Sequence, residues 1–147
     1  MQTASLAALY QILRRERSAL LHYLSGAWPW TSAAEKATAQ AVQDMVDAEQ
    51  KELAKLAAQL RRHRVIPPSP SFPLEFGGLH YVALSYLLPR LHEENGRLLA
   101  ELEKDVTTHP ELNDLLQPLI AIKQAHRQKL TELAAAHAGS TSFATRR

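Results

Sequence analysis

The chain has 147 residues, 46% hydrophobic and 22% charged, with a formal net charge of +2 and a pI near 9.0. That length suits one domain, roughly 100–200 residues being usual, and so mild a basicity does not by itself indicate nucleic-acid binding. Without a single cysteine, disulfides and thiolate metal sites are excluded.

Few glycines and little β-branched content, against abundant Ala, Leu, Glu, Lys and Gln, favour helices. Met1 to Ser5 lack the basic flank and small-residue cleavage site of a signal peptide. The uncharged stretch Phe76 to Pro89 falls short of the ~20 residues that span a bilayer. The expectation is a soluble, cytoplasmic, all-α protein with no membrane partner.

The first helix is expected from Thr3 to about Ala27. Its apolar row is Leu6, Leu9, Leu13, Glu16, Leu20, Tyr23 and Ala27, in steps of three and four that keep one face inward. A carboxylate in such a row must be paired, protonated or metal-bound, because burying a bare charge is prohibitive. Arg14, Arg15 and Arg17 read as a solvated face, and His22 as a residue of the helix edge. Gly26 and Pro29 end the helix. Trp28-Pro29-Trp30 is a stiff aromatic turn that either closes one end of the domain or meets a second copy in a homodimer.

The second helix opens at Ser32, with Glu35 three residues on in the pattern of a capping box, and runs to about Arg64. Its row is Val42, Val46, Glu49, Leu53, Leu56, Leu60 and His63, so Glu49 repeats the anomaly of Glu16. The alanines from Ala33 to Ala41 permit close approach of a neighbour. Arg61, Arg62, His63 and Arg64 fit the cation preference of a helix C-terminus; a phosphate patch is the alternative.

Four prolines between Pro67 and Pro73 exclude helix from the next segment. Stretched as polyproline II at about 3.1 Å per residue, the 14 residues from Val65 to Gly78 reach about 43 Å. A helix of about 28 residues has the same length, about 42 Å. The connector is therefore long enough to cross the whole domain and make the second and third helices parallel. Phe72, Leu74 and Phe76 are expected to bury along its wall.

The third helix is expected from near Leu79 to about Asp105, with Leu84, Leu87, Leu88, Leu91, Leu98 and Leu102 inward and a gap at Glu94 and Asn95. Pro89 and Gly96 loosen it on either side of that gap. The fourth opens with Thr108-His109-Pro110-Glu111, a second capping box. Its row is Leu112, Leu115, Leu119, Ile122, His126, Leu130, Leu133 and His137, with Lys123 on an adjoining position. Pro118 predicts a kink. Gly139 is expected to end the helix, leaving one domain over 1–138 and a disordered tail over 139–147.

Four long helices, a central crossover and inward Glu16, Glu49 and His126 resemble the ferritin-like superfamily, in particular the bacterioferritin pattern. The resemblance covers the chain to about Ala138. It is most specific in the first two helices, where Glu16, Tyr23 and then Glu49, 33 residues after Glu16, match the family spacing. It implies a four-helix bundle with the long Pro-rich crossover between the second and third helices. It also implies a two-iron site, with one Glu each from the first and third helices and Glu-x-x-His from the second and fourth. The departures are specific too. Glu52 stands where that motif has His, Lys123 stands where it has Glu, and strict spacing in the third helix lands on Arg90 rather than on Glu93 or Glu94. An ammonium at a ligand position opposes a centre that needs anionic ligands and open positions.

Three functional expectations follow. The first is a bundle of structural or interaction character, not an enzyme and without a cofactor, whose degenerate metal site is neutralised by Arg90 or Lys123. The alternative is a protein or oxidase that binds iron or another divalent metal through Glu16, Glu49, Glu52, Glu94 and His126. The last is a DNA-associated stress protein, the least favoured. No Gly-rich phosphate loop, nucleophile elbow or cysteine nucleophile suggests another enzyme or a substrate.

Overall fold

Residues 1–26 and 31–145 are described by the computed structural model, excepting the side chains of 80, 81 and 138–145. The aromatic turn at Trp28, Pro29 and Trp30 lies outside the described residues. The first helical stretch is not continuous: α1 (Thr3–Arg17) and α2 (Leu20–Gly26) are separated at Ser18 and Ala19. Three hydrogen bonds account for the break. The Ser18 hydroxyl donates back to the Arg14 carbonyl at 2.6 Å and accepts the Ser71 N–H of the crossover at 2.9 Å. Leu20 N–H, whose partner in an unbroken helix would be the Glu16 carbonyl, donates to Glu94 Oε1 at 2.9 Å.

α3 (Lys36–Arg62) follows a 3-10 turn over Ala33–Glu35. The expected capping box is there, with Glu35 Oε1 taking the Ser32 N–H at 3.3 Å and its hydroxyl at 3.1 Å. The other oxygen does something the sequence did not suggest: Glu35 Oε2 accepts the Ser85 N–H at 2.9 Å. One buried carboxylate thus caps two helix starts. At its far end α3 closes with Val65 N–H on the Leu60 carbonyl and Arg64 N–H on the Arg61 carbonyl, both at 2.9 Å. This is the paired bonding of a Schellman cap, and Arg64 carries its left-handed backbone, φ 61.

The crossover docks rather than floats. Phe72 and Phe76 pack on Tyr23 with ring centroids 5.1 and 5.4 Å away, and Phe76 is buried. Leu74, expected to bury with them, is fully exposed; the 3-10 segment Leu74–Tyr81 turns it outward while carrying Phe76 in. This segment also delays the next helix, so that α4 spans Leu84–Thr108 rather than starting at Leu79.

α5 (Asn113–Thr145) follows a 3-10 turn over Pro110–Leu112. Neither interior proline breaks its helix: α4 runs through Pro89 and α5 through Pro118. Each sits in the second turn, where it forfeits a single backbone hydrogen bond. Gly139 does not stop α5 either, and 140–145, expected as part of a tail, are helical. One interior glycine costs only about 1 kcal/mol relative to alanine.

Two apolar clusters show how these elements run. One gathers Leu9 and Leu13 of α1, Leu56 and Leu60 of α3, Leu99 and Leu102 of α4, and Leu116 and Leu119 of α5. The other gathers Leu20 and Leu24 of α2, Val42 and Met45 of α3, Leu84 and Leu88 of α4, and Leu130 of α5. From the first cluster to the second, α1–α2 and α5 ascend in residue number while α3 and α4 descend. α3 and α4 are therefore parallel, and the crossover returns the chain from one cluster to the other. The class is all-α, with no strand among the described residues. No described helix is long and apolar enough to cross a membrane.

Candidate functional site

Between the two clusters lies a layer of buried polar side chains. Glu16 comes from α1, His22 from α2, Glu49 from α3, Asn95 from α4 and Lys123 from α5, all buried, with His126 at the margin. Lys123 is at the centre. Its Nζ donates to Glu49 Oε1 at 2.9 Å and stands 3.0 Å from Glu16 Oε1, the latter an ion pair out of hydrogen-bond alignment. On its own helix it occupies the stripe of Leu116, Leu119 and Ile120, which is the buried one. The expected row through Ile122 and His126 sits at the edge of that stripe, and both residues are half-buried.

Glu49 holds three partners. Besides Lys123 it meets His22 Nε2 at 3.2 Å on Oε1 and His126 Nδ1 at 2.6 Å on Oε2. An ionised carboxylate only accepts, so both imidazoles donate to it; the other ring nitrogen of His22, Nδ1, is buried without a hydrogen-bond partner among the described residues. Burial alone would raise the Glu49 pKa. The Lys123 ammonium, with help from His126 and His22, outweighs that and holds it well below the ordinary carboxylate range. For Lys123, burial pushes down, but the charges of Glu16 and then Glu49 more than reverse it, so its pKa is raised. The two shifts agree on one state: Glu49 ionised, Lys123 protonated.

Charge closes around the layer through Arg15, which the sequence suggested was solvated. Its Nε lies 3.6 Å from Glu16 Oε2, and its Nη2 donates to Asp105 at 2.7 Å. Glu16 and Glu49 therefore meet Lys123 and Arg15, the latter shared with Asp105. Asn95 donates from Nδ2 to the Lys123 carbonyl at 3.3 Å, tying α4 to the same point.

The remaining candidates have other partners. Glu52, half-buried, pairs with Lys55 at 2.8 Å rather than with a member of the layer. Glu94 borders the same small cavity as Glu49, Lys123 and His126, but it takes the Leu20 N–H at 2.9 Å and approaches Arg97 at 4.0 Å. Arg90 is 42% exposed, 3.7 Å from Glu75 and stacked over Phe76 at 5.8 Å, so it does not reach the buried glutamates. Two members of the layer were not expected, His22 and Asn95. His22 is buried beside the break at Ser18, off the row that Leu20 and Leu24 continue, and no spacing rule announces it. Asn95 was visible only as a gap in the apolar row.

The chemistry open to this arrangement is narrow. A divalent ion held by Glu16 and Glu49 would share their oxygens with an ammonium that cannot ligate. Among the described residues, no three His, Asp or Glu side chains are arranged to hold a metal. The donor set does not fit the two-iron centre that the family resemblance implies. Beside Glu49, Asn95, Lys123 and His126 there is a cavity of about 20 Å³, room for about one water and not for a substrate. A larger open cleft of about 610 Å³, lined by Arg17, His22, Tyr23 and Gln50, lies on the other side of His22. No protein-family model matches the chain, and neither a curated protein nor a solved structure does.

Proposed function

We propose that the chain is a ferritin-like four-helix bundle whose metal centre has been replaced by an internal ion-pair layer, and that it serves as a structural or interaction protein rather than an oxidase. The observation that carries this is Lys123 Nζ at 2.9 and 3.0 Å from Glu49 and Glu16. Parallel α3 and α4 with a crossover along the domain support the ferritin-like part. The lysine supports the replacement, since one fixed cation supplies from within the chain some of the charge that metals supply in the family. A buried pair of this kind gives little net stability over an apolar core, and its gain is specificity of packing. The layer joins α1, α2, α3, α4 and α5 at one level, which fixes their register.

The test is the metal content of protein purified without added metal, followed by titration with Fe²⁺ and Co²⁺. The expected result is metal well below one per chain and no ligand-field absorbance. Stoichiometric metal lost on replacing Glu16 or Glu49 would reject the proposal in favour of the divalent-metal reading.

A further inference from the structure

Away from the buried layer, three arginines line one open cleft of about 560 Å³. Its walls are Arg17 of α1, Arg61 of α3, Arg64 of the α3 cap, and Pro67, Pro68 and Pro70 of the crossover. There is no carboxylate among the described residues that line it. Cations at the C-terminal turns of α1 and α3 each complement a helix dipole. That favours each arginine separately and gives no reason for them to share a cavity, where like charges repel. The repulsion registers at Arg17, whose pKa is lowered by burial and then by the charge of Arg61.

Arg64 is the more telling residue. Its φ of 61 puts it in the left-handed region, at the cap position that glycine ordinarily takes. A side chain there costs backbone energy, and such strain tends to persist where the side chain has a use. Here that side chain lines the cleft. Arg17 is also prepositioned: its Nη1 donates to the Pro68 carbonyl at 3.0 Å, on a wall stiffened by proline.

We propose that this cleft binds the phosphate group of a small ligand, with Arg17, Arg61 and Arg64 as its donors. Guanidinium forks match phosphate oxygens two at a time. The prolines offer no N–H of their own, so the arginines are the charged donors of the lining, beside neutral ones from Ile66 and Ser69. The volume lies within the range of about 300–1,000 Å³ usual for small-molecule sites. The inference is independent of the metal question, since the cleft shares no residue with the buried layer.

Titration calorimetry of the full chain with inorganic pyrophosphate tests it, with inorganic phosphate and a single-stranded oligonucleotide as further arms. Saturable pyrophosphate binding is expected, weakened about tenfold by R61Q and by R64G as each removes a charge-assisted contact. R64G should melt no lower than the parent, because glycine accepts the left-handed backbone, so its lost affinity would not reflect unfolding. K129Q, an exposed cation on α5, should bind as the parent does. No saturable binding, parental affinity in R61Q and R64G, or an oligonucleotide complex that pyrophosphate does not displace would each overturn the proposal.

Discussion

Lys123 and Glu49 stand 74 positions apart in the chain and meet at 2.9 Å where neither side chain is more than 2% exposed. Removing the lysine should therefore cost far more than a surface change. K123M leaves Glu16 and Glu49 facing each other without their shared cation, and the expected loss is roughly 3–5 kcal/mol, the range for breaking a buried pair. Urea denaturation measures it. Adding E49Q to K123M should recover part of the loss, because the stranded charge is removed as well; a double variant no more stable than the single would assign the cost to packing instead.

The same pair sets how stability follows pH. Glu49 has a folded pKa depressed below its ordinary 4.5, so its contribution is complete above that value and is lost as pH falls through the depressed one. Lys123 has a folded pKa raised above its ordinary 10.5, so its contribution is complete below 10.5 and is lost as pH rises through the raised one. Between those limits these two groups leave stability level. The urea midpoint followed against pH should fall at both ends, and K123M should lack the alkaline fall.

Glu35 offers a local readout. Its oxygens hold the start of α3 through Ser32 and the start of α4 through Ser85. Hydrogen bonds from Ser85 and Ser32 outweigh burial, the largest single influence, and keep its pKa low. E35A should cost about 1–2 kcal/mol, the upper range for losing a helix cap. The distinguishing measurement is amide exchange: Ser85 N–H should lose protection together with the first turn of α3. Protection unchanged at Ser85 would remove Glu35 from the second role.

These residues show where sequence reading succeeds and where it stops. The rows through Leu9, Leu13 and Glu16, and through Val42, Val46, Glu49 and Leu53, are buried as the periodicity indicated, because a helix repeats its face every three to four residues. That logic does not reach His22, which is buried off the row beside the break at Ser18, where the crossover donates to Ser18 and Glu94 accepts the Leu20 N–H. In α5 a cation misled the pattern: Lys123 belongs to the buried stripe, and a reader seeking apolar residues moves the stripe round to Ile122 and His126. Direction of the helices was legible because the crossover has a length, whereas the second role of Glu35 depends on tertiary contact alone.

Gly96 separates propensity from packing. A Cβ built there would overlap the Arg127 guanidinium. Arg127 is exposed, and only the far end of a flexible side chain stands in the way. G96A should therefore raise stability by about 0.5–1 kcal/mol through helix propensity, with Arg127 swinging aside. A lower melting temperature in G96A, reversed by R127A, would show instead that the guanidinium is anchored over α4.

The sharpest trial of the ferritin-like proposal is to restore what the chain lacks. The family resemblance implies a histidine at position 52 and a glutamate at position 123. The double variant E52H/K123E would add an imidazole and a third carboxylate to Glu16, Glu49 and His126, around the level that Lys123 now fills. Metal-free, this variant should be much less stable than the parent, since three carboxylates would converge with only Arg15 at the edge to offset them. Co²⁺ binding to the folded state alone should raise its melting temperature in a concentration-dependent way, with visible absorbance of nitrogen- and oxygen-ligated cobalt, while the parent chain shows neither. Glu94 need not join, because its carboxylate is engaged at Leu20. If the variant folds and gains no affinity for Co²⁺ or Fe²⁺, the helices do not place these positions as the family does, and the proposed relationship falls while the ion-pair layer itself stands.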